Sequence, residues 1–253
     1  MGGYRIFDSH LHIIYQRYPL TPNNGYLPNE FTCADYRAQT SSLNIVGGAI
    51  VSGSFQGMDQ TYLEDALNTM GSGYVGVTNL AVDTDDHEIL RLNALGIRAV
   101  RFNLKRGGSE DIRHLTKMAH RVQELAGWHI ELYVDSSDLP ELYDSLRSLP
   151  KITIDHLGLS KAGFDTLLRL VESGAYVKAS GFSRTDLDIS QAVKDVCTAN
   201  PDALMFGTDL PSTRAPKPYA DADLQLLIDA LDPALVDAVL MDNAVKLYRP
   251  ANA

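Results

Sequence analysis

Short apolar runs recur along the chain at intervals of about 25 residues, each followed by a stretch whose apolar positions have helical spacing. The runs are Ile6–His12, Val46–Ser52, Tyr74–Val82, Ile97–Phe102, Trp128–Val134, Lys151–Asp155, Ala175–Ala179 and Leu204–Gly207, and each reads as a buried parallel strand. Between them the spacing predicts helices over Cys33–Leu43, Asp59–Met70, Asp86–Leu95, Ser109–Ala126, Leu139–Ser148, Phe164–Glu172 and Ile189–Ala199. Two further helices are expected over Asp221–Leu231 and Pro233–Leu247. Gly71, Gly96 and Gly127 stand where helices should stop, and Ser109-Glu110-Asp111 places negative charge at a helix start. Eight strand–helix units predict an α/β fold closed as a single (β/α)8 TIM barrel, with an extra C-terminal helix. An open doubly wound sheet would use the same elements, but no Gly-rich phosphate loop follows the first strand. No linker, tandem repeat or low-complexity segment interrupts the pattern, so residues 1–253 are expected to form one domain. The stretch Ile13–Thr32, rich in Pro, Asn, Gly and Tyr, is too long for a plain connection and reads as a binding loop or lid.

Composition narrows the class. A length of 253 residues suits one barrel, and 45% hydrophobic residues supply a sizeable core. No apolar run approaches the ~20 residues needed to cross a bilayer. A net charge of −10 argues against nucleic acid and anionic membranes as partners, and leaves a small anionic substrate open, because a site is governed by local charge. The N-terminal residues contain no apolar core of a secretory signal, and Ile6 stands where a myristoylation motif needs Ser or Thr. Cys33 and Cys197 form neither a disulfide framework nor a metal knuckle, which fits a reducing cytoplasm. The expected assembly is a monomer or homodimer.

The chemistry lies at the strand ends, where a barrel of this kind carries its active site. Alternation along the first strand puts Asp8, His10 and His12 on one face, so two imidazoles can converge to bind a metal or polarise a carbonyl. The second strand leads to Ser54, the fourth to Arg101, Asn103, Lys105 and Arg106, and the fifth to Tyr133 and Asp135. The sixth ends in Asp155-His156-Leu157-Gly158, the seventh runs to Lys178, Ser180 and Arg184, and the eighth ends in Gly207-Thr208-Asp209-Leu210-Pro211. Any one of these has a structural explanation, such as a helix cap, a turn former or a solvated charge. Coincidence at nearly every strand end favours a site.

Three of these segments resemble motifs of the amidohydrolase superfamily in its amidohydrolase-related branch: Asp8-Ser9-His10-Leu11-His12, Asp155-His156-Leu157-Gly158 and Gly207-Thr208-Asp209-Leu210-Pro211. Within that branch the chain is most similar to the hydrolases of the 2-pyrone-4,6-dicarboxylate lactonase type. The likeness extends through Gly96–Asn103, Gly127-Trp128-His129, Asp138–Leu142, Asp242-Asn243 and Leu247-Tyr248. It implies hydrolysis of a small carboxylated lactone, with aromatic catabolism as the setting. Metal-dependent members carry Lys or Glu at the fourth strand end and His at the fifth, where this chain has Arg101 and Tyr133; His129 lies at the opposite end of its strand. The lactonase likeness implies that no cofactor is required. His10, His12 and Asp209 are the provisional ligands if a divalent metal such as zinc binds. It also implies that Arg101, Arg106, Tyr26, Tyr133, Arg184 and Ser54 bind the substrate's carboxylates. An Arg expected soon after the strand-six motif is Leu159 here, and Arg214 is the candidate replacement. The expected mechanism has Asp209 accept a proton from water while His10, His12 and His156 donate hydrogen bonds to the lactone carbonyl. The alternatives are a metal-dependent amidohydrolase or decarboxylase of a small carboxylic acid, a sugar-acid lactonase, and a barrel that binds organic acids without turnover.

Overall fold

The computed structural model describes residues 3–252; the Met1-Gly2 start, considered above for lipidation, lies outside them. Eight parallel strands pair in sequence order: β1 (Ile6–Leu11), β2 (Ile45–Val51), β3 (Tyr74–Thr78), β4 (Ile97–Asn103), β5 (His129–Tyr133), β6 (Ile152–Ile154), β7 (Tyr176–Ala179) and β8 (Leu204–Phe206). The helices between them are α1 (Cys33–Gln39), α2 (Thr61–Met70), α3 (Asp86–Ala94), α4 (Leu115–Ala126), α5 (Leu139–Arg147), α6 (Phe164–Glu172) and α7 (Ile189–Ala199). After β8 come α8 (Asp221–Ala230) and α9 (Asn243–Tyr248). This is the (β/α)8 barrel the sequence predicts. Its last seam is drawn together just past β8, where the Asp209 amide donates to the His10 carbonyl at 2.7 Å and the His12 amide to the Leu210 carbonyl at 2.8 Å.

Alternation along the strands sorts the core into two parts. Ile50, Ile97, Val100, Ile130, Leu132 and Ile154 face outward and pack in one cluster with the apolar stripes of the helices. Phe7, Ala49, Val51, Val75, Val77, Ala99 and Met205 form a second cluster together with Tyr248 of α9. Tyr248 stacks on Phe7 with ring centroids 5.7 Å apart, and His129 lies edge-on to it at 5.0 Å, so this apolar layer closes the end of the barrel away from the strand exits.

Three expectations are corrected. β3 ends at Thr78 rather than continuing to Val82. There the Asn79 side chain donates to the carbonyls of Gly53 and Gly57, and the Val82 amide to Glu110, so loops rather than a neighbouring strand satisfy these groups. The helix expected from Ser109 begins at Leu115 after a 3-10 turn over Ile112–His114, because the Ser109 hydroxyl binds the Asn103 amide and Glu110 binds Val82. The stretch Pro233–Leu247 is not one helix: it passes through a 3-10 turn and a π-helical turn, Ala238–Asp242, before α9. The Asn243 amide at that junction donates to the carbonyls of Pro201 and Leu204, tying it to the start of β8.

Candidate active site

Above the apolar layer, β4 to β7 carry a layer of buried charge. Arg101 pairs with Asp155 at 2.8 Å and also donates to the Ser52 carbonyl at 2.8 Å. Lys178 pairs with Glu131 at 2.6 Å and stands 3.6 Å from Asp155. Charges this deep persist only when compensated. Burial raises the Asp155 carboxyl's pKa, but His10, Arg101 and Lys178 outweigh it and hold that pKa well below the usual range. Burial pushes Glu131 the other way, up to about 7, against the pull of Lys178.

His10 stands on this layer, fully buried. Its Nδ1 lies 3.2 Å from Lys178 Nζ, 3.3 Å from Asp155 Oδ1 and 3.7 Å from Glu131 Oε1. An ammonium can only donate, so the Lys178 contact makes Nδ1 the acceptor and leaves the ring proton on Nε2. Burial holds the His10 pKa well below that of an ordinary imidazole, so the ring is neutral near pH 7. His12 has the opposite tautomer, because its Nδ1 meets the Val51 carbonyl at 2.7 Å and must donate to it. Its Nε2 therefore offers a lone pair. A ring held this way with a single proton accepts at Nε2, whereas the expected mechanism has all three imidazoles donate. His156 is held at Nδ1 by Ser180 Oγ at 2.9 Å, and burial lowers its pKa to about 4.

The three Nε2 atoms surround one oxygen. Asp209 Oδ1 lies 3.9 Å from His10, 3.7 Å from His12 and 3.9 Å from His156, each too far for a hydrogen bond. His10 Nε2 and Asp209 Oδ1 are both buried without a protein partner, a costly arrangement unless something else occupies the gap. The other carboxylate oxygen, Oδ2, takes Nε and Nη2 of Arg184, each at 2.7 Å. Burial opposes ionisation of Asp209, yet Arg184, and after it His156, hold its pKa far below the ordinary carboxylate range.

Backbone geometry puts these groups here. Asp209 has φ +59° and His156 φ +51°, a left-handed region that turns both side chains inward as the chain leaves its strand. Gly207 lets β8 approach β1, since a Cβ there would lie 2.8 Å from His10 Cβ and 2.9 Å from its amide nitrogen. Asp8 does not join its two histidines. The β1–β2 register shifts between Asp8 and Leu11, and the carboxylate faces away, bound by Tyr36 Oη at 2.9 Å and by the Thr208 amide and hydroxyl at 2.8 and 2.6 Å.

A cavity of about 30 Å³, the size of one water, lies over this cluster and is lined by His12, His156, Asp209, Arg101, Tyr133 and Ser54 among others. A vestibule of about 350 Å³ sits outside it, and the two share Arg106, Tyr133, Arg184 and Arg214. Most residues predicted from sequence are thus brought together. Tyr26 is set apart: it borders neither space and packs under the Arg214 guanidinium, 4.3 Å from its ring centre. Arg101 and Arg184, expected to bind the substrate's carboxylates, are each paired with a protein carboxylate. Glu131 is missing from the residues predicted to form the site, and Lys178, noted at its strand end, has no role in that prediction. The signal for Glu131 is the alternation His129, Glu131, Tyr133 on β5, which puts an acid on the inner face.

A profile of the amidohydrolase family matches residues 7–249. The chain belongs to the amidohydrolase family. Over 96% of its length, this amidohydrolase is 26% identical to a 2-pyrone-4,6-dicarboxylate hydrolase of Comamonas testosteroni, covering 90% of that protein. It is 24% identical, again over 96% of its length, to a 4-sulfomuconolactone hydrolase of Hydrogenophaga intermedia, covering 88% of it. Among solved structures, an Agrobacterium tumefaciens protein superposes with a TM-score of 0.85 at 21% identity, covering 98% of this chain and 97% of its own. An Acinetobacter baumannii protein described as a probable 2-pyrone-4,6-dicarboxylic acid hydrolase, with citric acid bound, gives 0.83 at 22% identity, covering 96% and 99%. At these identities the structural likeness speaks for the fold.

The donor set of this amidohydrolase fits a single divalent ion. His12 Nε2 and Asp209 Oδ1 present lone pairs, and the ligating atoms of His10, His12 and Asp209 lie within 4.8 Å of one another. For His10 to join them, its proton must pass to Nδ1, where Asp155 Oδ1 is the nearby acceptor.

Proposed function

We propose that this amidohydrolase opens a small carboxylated lactone by attack of a water held between Asp209 and His12. The observation that carries this reading is the bare, buried Asp209 Oδ1 facing three imidazole nitrogens beside a water-sized cavity rimmed by arginines. The two lactone-type relatives supply the substrate class, since their names specify a pyrone dicarboxylate and a sulfomuconolactone.

In this mechanism the water's oxygen bonds to the lactone carbonyl carbon while its proton passes to Asp209. The oxyanion that forms accepts from His10 Nε2–H, placed by Lys178. When the ring C–O bond breaks, the proton on Asp209 passes to the departing ring oxygen, leaving a carboxylic acid and a hydroxyl. Asp209 is a weak base while Arg184 binds it. A substrate carboxylate that draws Arg184 toward itself raises that basicity at the moment of need, which joins binding to chemistry. No metal is required in this scheme. Were an ion bound, His10, His12 and Asp209 would hold it, and it would supply a Lewis acid for the carbonyl.

Asp209→Asn should lower lactone hydrolysis by at least ~10³-fold while anionic ligands still bind, measured by turnover and calorimetry on a lactone panel. Retained turnover refutes Asp209 as the base. Dialysis against a chelator should leave wild-type turnover intact; a loss restored by zinc would assign the reaction to the metal-dependent reading.

A further inference from the structure

The last helix reaches back under the barrel to the layer of charge beneath His10. Tyr248, the final residue of α9, is fully buried, with Phe7 stacked on its ring. Both ends of α9 are pinned. At its start the Asn243 side chain donates to the Pro201 and Leu204 carbonyls, and just past its end Arg249 Nη2 donates to the Gly127 carbonyl at 2.8 Å. From this anchored helix the Tyr248 hydroxyl donates to Glu131 Oε2 at 2.9 Å, and its ring centre lies 5.7 Å from Lys178 Nζ. Burial, and after it the Glu131 charge, hold the phenol pKa well above the usual range, so the hydroxyl remains a donor.

Glu131 is therefore held by one oxygen only. Oε2 takes both Tyr248 and Lys178, whereas Oε1 is buried without a partner and lies 3.7 Å from His10 Nδ1, beyond hydrogen-bond reach. Among the described residues, Tyr248 is the one side chain besides Lys178 that donates to this carboxylate. The terminal torsion of a glutamate is soft, so hydrogen bonds rather than rotamer preference decide where its oxygens point. A carboxylate oxygen turned onto Nδ1 would compete with Lys178 there, draw the ring proton away from Nε2 and leave the site without its donor.

We infer that Tyr248 is a positioning residue for His10: by fixing Oε2 of Glu131 at the closed end of the barrel, it keeps Oε1 off Nδ1 and preserves the Nε2–H donor that faces Asp209. The C-terminal helix thus shapes the site without touching the substrate. The inference rests on the lactonase reading for what that donor does, and on geometry alone for where the proton sits.

The test follows the His10 ring nitrogens by NMR in the full chain at pH 8, above the Glu131 pKa of about 7, alongside lactone turnover. In wild type His10 should be protonated at Nε2; protonation at Nδ1 overturns the inference without any variant. Tyr248→Phe keeps the stacked ring and removes the hydroxyl. The His10 proton should then move toward Nδ1, and kcat should fall ~10-fold or more with KM within about twofold of wild type. Phe7→Leu loosens the same apolar layer and leaves the hydroxyl in place, so it should lower the urea midpoint but keep the His10 shifts and kcat. Unaltered His10 shifts in Tyr248→Phe, or an equal change in Phe7→Leu, overturn the role of the hydroxyl. The shifts need no substrate. A shift change in Tyr248→Phe without wild-type turnover keeps the positioning role and removes the lactonase reading, while wild-type turnover with unaltered shifts does the reverse.

Discussion

Each imidazole in the site is defined by what its outer nitrogen touches. Lys178 gives His10 a proton on Nε2, and the Val51 carbonyl gives His12 a lone pair there, so two chemically identical side chains take opposite roles. Lys178→Met should remove the constraint on His10 and let Asp155 draw the proton to Nδ1. The expected result is a fall in kcat of ~10²–10³ with KM changed little, because the lost donor acts on the oxyanion rather than on the bound substrate. Nitrogen chemical shifts of His10 should report the tautomer change, which a merely loosened core would not produce. Unchanged shifts with a fall in kcat would exclude Lys178 as the positioning residue. The sequence names the histidines because His-x-His at a strand end is visible as text. It cannot name their tautomers, because Val51 and Lys178 are 39 and 168 positions away from the rings they touch.

Elements carry the side chains to their places, and small departures from regularity decide where. A strictly alternating β1 would aim Asp8 with His10 and His12. The register shift after Asp8 sends that acid outward instead, to fasten β1 to Tyr36 of α1 and to Thr208 beyond β8. Gly207 works from the other side of the same seam. Gly207→Ala should press a methyl group against the His10 backbone and cost about 1–3 kcal/mol, read as a lowered urea midpoint with unchanged slope. Stability equal to wild type would mean the seam can widen freely. Strands and helices were legible from apolar spacing, with α6 and α7 found to the residue. The misplaced ends lie where side chains capture backbone groups of other loops, as Asn79 and Ser109 do, and spacing carries no record of such partners.

Across the whole molecule, the barrel interior sets Arg101, Lys178 and Arg184 against Glu131, Asp155 and Asp209, while burial keeps His10 and His156 neutral. That neutrality makes stability depend on pH. His156 has a native pKa of about 4 against an ordinary 6.5, so on acidification the unfolded chain takes the proton first. Its contribution is complete above about pH 6.5 and is lost as pH falls toward 4; His10, shifted the same way by burial, adds to it. Glu131, raised to about 7, acts in the opposite sense over the same range, so the comparison between proteins carries the test: from pH 7 to pH 5 the thermal midpoint should fall further in wild type than in His156→Asn. An equal slope in the variant would place the acid sensitivity elsewhere. The sequence by itself determined the barrel, the family and the three strand ends that bear His10, His12, His156 and Asp209, because hydrophobic period and short motifs are local properties of a chain. Only the tertiary structure decided the pairing of Arg101 and Arg184 with protein acids and the partners that hold each imidazole at Nδ1. Those depend on distances between segments far apart in the chain, and electrostatic energy is set by distance and burial rather than by order along the sequence.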